Sequence, residues 1–475
     1  MDDNKIYILK STIDNPLSRY FLSKLGYCET CKQHRIEVAL DLYTEKRIDA
    51  CLRCLLAESM LSVILGIGGQ LFGVNKQELK KQFQNPYWKK GLVNVLTGIS
   101  EFGIQKPFVP GAPFLIVWDI TNQCNLNCKH CYADAGDQQK DELDTTQAKK
   151  VIDTLDKASV PILSFSGGEP LVRNDIFELT KYAADKGMYV GLATNGTLIT
   201  KEKAKQMKKA GIKFVQISLD GATAASHDSL RGMPGMFKKS IEGIKNCVDQ
   251  DFFVNIASVA TKNNISEIPD IISICDDLNV KWFMLYNFVP VGRGESIVTM
   301  DLSPDQREQL LSYLYQGLNN DAVDVDLLST APQFARVALQ HEYNQNKKLV
   351  PTHFLNSTYS GKLFQLAEFI GGCGCGRFYC AMRSNGDIEP CVFFPLKLGD
   401  ILEDDFSDLW TNNEVLSDLR NREKLDEGCG ECRFKYFCGG CRARAYGYTG
   451  NYLAADPGCV RNKKEHEMIT QEIMT

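Results

Sequence analysis

Eighteen cysteines stand among the 475 residues, and sixteen of them fall into three groups whose spacing suits metal ligation. The densest reads Cys124-Asn-Leu-Asn-Cys128-Lys-His-Cys131. Three thiolates in so short a loop suit three corners of a cubane iron–sulfur cluster. A structural metal site wants four protein ligands, whereas three leave one corner open to bind something else, as catalytic sites do. Half of a zinc site with a distant fourth ligand is the competing reading. Cys28-x2-Cys31 and Cys51-x2-Cys54, 19 residues apart, form a four-thiolate set of the zinc-ribbon or rubredoxin kind, read as structural zinc in preference to a mononuclear iron. Nine more cysteines lie near the C-terminus, at 373, 375, 380, 391, 429, 432, 438, 441 and 459, where two fully ligated 4Fe–4S clusters need eight thiolates. A pair of structural zinc sites is the plainer alternative there. Cys247 and Cys275 stand alone in amphipathic stretches and read as small buried hydrophobes.

Such loops need a frame. Six β-rich runs, 114–121, 162–168, 189–196, 214–221, 254–261 and 282–290, alternate with amphipathic segments at 145–157, 175–186, 200–210, 237–249, 266–278 and 303–318. Apolar strands alternating with helices predict a parallel sheet. Six units make an α/β fold of the partial (β/α)6, TIM type, whose chemistry sits at the strand C-termini. The unusual residues cluster there: Cys124 after the first run, Gly167 to Pro170 after the second, Asn195 after the third, Asp220 after the fourth. The expected organisation is an N-terminal four-cysteine metal-binding extension (1–111), the partial barrel (112–300), a helical bridge (301–372) and a C-terminal iron–sulfur domain (373–475). Within the extension, 56–104 is apolar and reads as packing surface, with an apolar wall for a greasy substrate or a peripheral membrane contact as the minority alternative.

Cys-x3-Cys-x2-Cys after the first strand resembles the radical S-adenosylmethionine (SAM) superfamily signature, and the resemblance runs through residues 112 to 300. It implies that Cys124, Cys128 and Cys131 carry a cluster whose open iron chelates SAM, which an electron then cleaves to a 5′-deoxyadenosyl radical. His130 stands where the family places an aromatic residue beside the adenine. Gly167-Gly168-Glu169-Pro170 resembles the family's turn that receives the SAM ammonium, with Asn195 one strand further on. Ser218 and Asp220 are similar to its ribose-binding pair, and Arg231 to the arginine that pairs with the SAM carboxylate. The C-terminal pattern resembles the SPASM domain. That implies one auxiliary cluster on Cys429, Cys432, Cys438 and Cys459. A second would sit on Cys391, Cys441 and two of Cys373, Cys375 and Cys380. The spacing Cys438-Gly-Gly-Cys441 is one residue shorter than the family's usual pattern. Arg442 and Arg444 either raise a cluster potential or sit at the surface.

The cofactors so implied are three 4Fe–4S clusters, SAM, and one zinc or rubredoxin-type iron. A radical SAM oxidoreductase follows, taking hydrogen from an unactivated carbon and oxidising or coupling the product radical. The runs CGGCRARAYGYTGN and NFVPVGRG resemble those of enzymes of tetrapyrrole and peptide modification, including enzymes that decarboxylate propionates of haem precursors. Isoprenoid lipid coupling is the alternative, and a non-catalytic electron-transfer or scaffold protein the alternative of another class. Val392 replaces the aspartate that anaerobic sulfatase-maturating enzymes carry after this cysteine, which disfavours that chemistry. The implied partners are a small-molecule, peptide or lipid substrate and a low-potential electron donor such as ferredoxin or flavodoxin. A net charge of −5 with no basic tract gives no pull towards nucleic acid. The N-terminus lacks a signal-peptide order, and Met60–Val74 is too short and glycine-broken to span a bilayer, so a cytoplasmic protein is expected.

Overall fold

The computed structural model describes residues 10–11, 13–318, 323–345 and 367–474, so part of the expected 301–372 bridge lies outside the described residues. The extension is mostly helical. It contains α1 (Pro16–Ser23), a short hairpin of β1 (Tyr27–Cys28) and β2 (Gln33–His34), α2 (Arg35–Tyr43), α3 (Leu52–Phe72), α4 (Lys76–Gln82) and α5 (Pro86–Phe102).

The six expected runs form parallel strands in sequence order: β3 (Leu115–Thr121), β4 (Ile162–Gly167), β5 (Tyr189–Thr194), β6 (Ile212–Ser218), β7 (Phe253–Val259) and β8 (Trp282–Tyr286). Between and after them run α6 (Thr145–Lys157), α7 (Ile176–Asp185), α8 (Lys201–Ala210), α9 (Ala224–Arg231), α10 (Met236–Val248), α11 (Ile268–Asp277) and α12 (Pro304–Leu318). α6 shows the local logic. Asp144 caps it in a reciprocal box with Gln147, and Ala148, Val151, Ile152 and Leu155 make one apolar face. That face lies in the same core as Trp118, Leu163 and Phe165, all fully buried. Each such side chain contributes about 1.5–3 kcal/mol, and Phe165→Ala would cost about 3–5 kcal/mol.

Successive residues of a strand face opposite sides. Ile116, Trp118 and Ile120, Leu163 and Phe165, and Val215 and Ile217 pack into the main apolar core. Their alternates, Asp119, Ser166, Gln216, Ser218, Asn255 and Tyr286, are polar and share the other face. There Gln216 accepts from Asn255 (3.0 Å) and from the Tyr286 hydroxyl (2.9 Å).

The sheet is larger than the six expected strands. β9 (Asp326–Ser329) pairs parallel with β8, and β10 (Tyr379–Met382) pairs parallel with β3, Cys380 opposite Ile116. Two antiparallel strands, β11 (Asp387–Glu389) and β12 (Gly399–Asp400), finish that edge. The sheet therefore crosses the boundary expected at 373.

The extension differs from expectation in one respect. α3 runs through Gly66, Gly68 and Gly69 and stops at Gly73, whose φ of 68° ends the helix in the left-handed region. Its stretch Leu52–Gln70 is long and apolar enough to cross a membrane by length and composition, with 28% buried. Ala57, Leu61 and Leu65 fix it to α2 and α5, while Leu52, Leu55, Leu56 and Val63 are exposed. Buried Lys90 on α5 ties the extension to the barrel through Asp156 of α6.

Candidate metal centres and cofactor site

The loop leaving β3 carries the first cysteine group. Leu126 and Met236 pack with Cys124, Cys128 and Cys131, so the three thiols share one small apolar nest. The loop is held from several sides. Glu142 accepts from the Thr121 hydroxyl (2.9 Å) and the Asn122 N–H (2.6 Å). Gly168 N and Glu169 N donate to Thr121 O and Gln123 O. A Cβ at Gly168 would lie 2.2 Å from Gln123 O, so only glycine lets the two turns meet. Arg293 donates to Cys128 O (2.8 Å) and Ala135 O (2.7 Å) from the far side. Glu142 and Arg293 were not legible as site residues, although Arg293 lies in the NFVPVGRG run.

Burial pushes the Cys124 thiol up to about 12, so its thiolate needs a positive partner such as a metal. Beside the thiols, Arg231 pairs with Asp220, and its Nη1 lies 3.7 Å from Cys128 Sγ. Burial lowers His130 to about 4, and its neutral ring sets Nε2 3.5 Å from Asp220. Burial alone would raise Asp220, but the charge of Arg231 outweighs it and keeps the carboxylate ionised. Three nitrogens here, His130 Nδ1, Arg231 Nε and His227 Nε2, are buried without a hydrogen-bond partner. Buried polar atoms are normally satisfied, so these orphans beside an under-ligated thiol triad fit a bound cofactor with polar groups.

Three of the expected cofactor-site residues also bind the strand ends and loops together. Asp220 also accepts from Val259 N (2.8 Å), so its carboxylate is shared by Arg231, His130 and the backbone. Glu169 is fully buried and accepts from Thr194 Oγ1, Asn195 N and Leu171 N, which locks the end of β4 to that of β5. Asn195 binds Asn125 of the cysteine loop (2.9 Å) and Thr197. These side chains therefore position the cofactor-facing loops. Ser218 is half-buried at the end of β6, and Pro170 begins a short 3-10 turn.

The C-terminal cysteines separate cleanly. Cys373, Cys375, Cys391 and Cys441 share one packed cluster with Val289, Val291 and Phe394. Cys380 does not join them. It lies on β10 within the main core and donates to Glu389 O (2.9 Å), because the strand's alternation turns it away. Cys429, Cys432, Cys438 and Cys459 line a second cavity with Arg336, Arg461 and Asn462. Around it Gly440 N lies 3.4 Å from Cys438 Sγ, while Asp456 N (3.4 Å) and Arg442 Nη2 (3.6 Å) point at Cys429 Sγ. N–H donors converging on sulfur suit thiolates that share cluster charge. Arg442 and Arg444 are fully buried, and Arg444 pairs with Asp301 at the barrel exit.

The N-terminal quartet is tighter. The sulfurs of Cys28, Cys31, Cys51 and Cys54 all lie within 4.8 Å of one another, with Cys28 and Cys51 3.6 Å apart. Metal–sulfur bonds of about 2.3 Å in a tetrahedron give sulfur separations of roughly this size, so the set fits a single ion. Among the described residues no other group of three or more metal-ligating side chains is so compact.

Between the cysteine groups lies a feature the sequence did not signal. Tyr132 donates to Asp119 (3.0 Å), which also binds Arg383 of the C-terminal segment (2.9 Å), and Arg383 reaches Glu389 (2.8 Å). Phe393 packs edge-on against Tyr132 (5.0 Å) and Tyr286 (6.2 Å), so aromatic rings stand beside Cys131 and Cys391.

Residues 118–275 match the radical SAM superfamily and 373–433 match the SPASM iron–sulfur cluster-binding domain. The chain is 37% identical over 351 residues to an AdoMet-dependent heme synthase of Methanosarcina barkeri, covering 74% of this chain and 97% of that protein. It is 31% identical over 363 residues to a mycofactocin maturase of Mycobacterium tuberculosis, covering 74% and 84%. Among solved structures, Streptococcus suis SuiB bound to S-adenosylmethionine superposes with a TM-score of 0.61 at 17% identity, covering 89% of this chain and 92% of that one.

Proposed function

The chain belongs to the radical SAM superfamily, with a SPASM domain after its core, and from that premise we propose that it is an oxidoreductase acting on a tetrapyrrole side chain. The observation that carries the substrate is its similarity to a heme synthase along nearly that protein's full length. When bound, a 4Fe–4S cluster and SAM supply the 5′-deoxyadenosyl radical that takes hydrogen from an unactivated C–H. Cys124, Cys128 and Cys131 would hold that cluster. The orphaned Arg231 Nε and His130 Nδ1 are among the groups left to receive SAM. Cys373, Cys375, Cys391 and Cys441, and separately Cys429, Cys432, Cys438 and Cys459, would each hold an auxiliary cluster that accepts the electron of the product radical. The aromatic group Tyr132, Phe393 and Tyr286 suits a flat macrocycle lying between the first two sites. We further propose zinc at the N-terminal quartet, a low-potential electron donor and a cytoplasmic location.

The test is anaerobic incubation of the reduced protein with SAM and either an iron tetrapyrrole bearing carboxylate side chains or a cell extract. Formation of 5′-deoxyadenosine stimulated by the tetrapyrrole, with a matching loss of mass from it, supports the proposal. Stimulation only by a peptide or lipid fraction overturns the substrate and leaves the radical chemistry standing.

A further inference from the structure

Lys201–Ala210 holds five lysines in ten residues, and the fold sets a second lysine-bearing helix beside it. α8 and α10 together carry eight lysines against two glutamates, in a chain whose net charge is −5. The helices share a face. Ser240 Oγ of α10 donates to Asn195 O, and Asn246 Nδ2 to Ile199 O, in the turn that leads into α8. A Cβ at Gly243 would lie 2.2 Å from Gly196 O, so this contact is close. Among the described residues Lys201, Lys205, Lys209, Lys238, Lys239 and Lys245 are exposed and join no ion pair.

Both helices start at the cysteine loop. The turn before α8 is bonded to it through Asn195 and Asn125 (2.9 Å), and Met236, the first residue of α10, packs among its thiols. The loop itself reaches the surface at Asn127 and Lys129. Beside it Gly232 lies so close that a Cβ would meet Asn127 O at 2.3 Å, and the next residue, Met233, is 42% exposed. An exposed thioether, followed within six residues by exposed Lys238 and Lys239 in the first turn of α10, has the elements of a protein-docking patch, an apolar centre with charge beside it.

We propose that Met233, Lys129 and the lysines of α8 and α10 form the docking surface for an acidic one-electron carrier protein. It rests on the radical SAM reading, which demands one electron per SAM cleaved. The carrier loses that electron and the cluster held by Cys124, Cys128 and Cys131 gains it. Positive charge around the loop steers an acidic carrier to the exposed turn that flanks Cys128, and such steering raises association rates tenfold or more at low salt.

The test uses the intact holoenzyme and flavodoxin hydroquinone, an acidic flavoprotein, in stopped flow. K129E/K238E/K239E should slow reduction by flavodoxin at least tenfold and flatten its salt dependence. Iron content and dithionite-driven 5′-deoxyadenosine formation should stay unchanged, which shows that the variant is folded and loaded. The control K424E/K464E, at exposed positions of the C-terminal segment outside either cysteine group, should leave the flavodoxin rate alone. If the control slows the reaction and the triple variant does not, electrons enter elsewhere and the proposal falls. If wild-type protein binds duplex DNA or anionic vesicles through these lysines while the flavodoxin rate ignores them, the surface belongs to another partner. Absence of SAM cleavage with dithionite in the wild type overturns the underlying reading, and the docking surface with it.

Discussion

The guanidinium of Arg231 is held between the carboxylate of Asp220 and the thiol of Cys128, with Nη1 3.7 Å from Cys128 Sγ. Its Nε is left buried and unpartnered. A fully buried arginine keeps its charge only because Asp220 balances it, and breaking such a pair leaves an uncompensated charge. Asp220→Asn keeps the size and one hydrogen-bonding oxygen but removes the balance. SAM affinity measured by equilibrium dialysis should fall about 10–100-fold, the usual cost of losing a positioning partner. Iron content should be unchanged. Unaltered SAM affinity would show that Arg231 does not face the ligand.

The three thiols on the β3 loop are expected to carry all SAM cleavage. Changing Cys124, Cys128 and Cys131 together to Ala should abolish 5′-deoxyadenosine formation. The iron bound by the C-terminal cysteines should remain, since those groups pack in separate clusters. Residual cleavage by the triple variant would remove these residues from the reaction.

Cys375 and Cys380 are five residues apart and should behave oppositely. Cys375 packs with Cys373, Cys391 and Cys441, while Cys380 sits in the barrel core with its sulfur on Glu389 O. Cys375→Ala should lose one cluster's worth of iron, whereas Cys380→Ala should keep the full complement and lower stability by about 1 kcal/mol. Iron analysis and thermal unfolding decide between them. Iron loss from the Cys380 variant would reverse the assignment.

These contrasts mark where the sequence was readable. Six strands and their helices were legible because apolar runs and amphipathic spacing recur over many residues, as in α6, expected at 145–157 and found at Thr145–Lys157. β10 and β11 were missed because strands of four and three residues carry too little pattern. Spacing in the sequence brought Cys380 among the ligand candidates, but the side a residue faces depends on a strand that only its pairing with β3 creates. Likewise Glu169, Asn195 and Asp220 stand at the strand ends where motif reading put them. What each touches depends on long-range partners such as Thr194, Asn125 and Arg231. The five lysines of α8 were on view in the sequence, but their union with those of α10 was not, since the two helices meet only in the fold.

The N-terminal quartet should be structural. With four sulfurs within 4.8 Å, a single zinc per chain is expected by elemental analysis. Cys28→Ser should destabilise the extension, because metal affinity is folding free energy where the site organises the fold. The absorption of the β3-loop cluster should persist. An additional iron with a rubredoxin-like spectrum would replace zinc in this account.

The two C-terminal groups should act after SAM cleavage, as electron acceptors. Cys391 follows β11 and stands next but one to Phe393, whose ring packs on Tyr132 beside Cys131, so the first group is nearer the β3 loop along this path. The second group receives Gly440 N, Asp456 N, Asn462 Nδ2 and the Arg442 guanidinium at its sulfurs. Donors and positive charge at sulfur stabilise the reduced form of a cluster and raise its potential, and with buried Arg422 beside Cys373 of the first group both sites suit an electron acceptor. A substrate radical that ends as an alkene must lose one electron, and four protein thiolates leave no corner for substrate, so transfer would be outer-sphere. Cys391→Ala and Cys432→Ala, each verified by iron analysis to lack one cluster, should still form 5′-deoxyadenosine with substrate but not release oxidised product. Arg442→Gln should lower the potential of the second cluster in an EPR-monitored redox titration while leaving the first in place. Normal product from either cysteine variant would take that cluster out of the reaction. Loss of SAM cleavage in both would mean that electrons run inward through the C-terminal sites, and the acceptor role would fall.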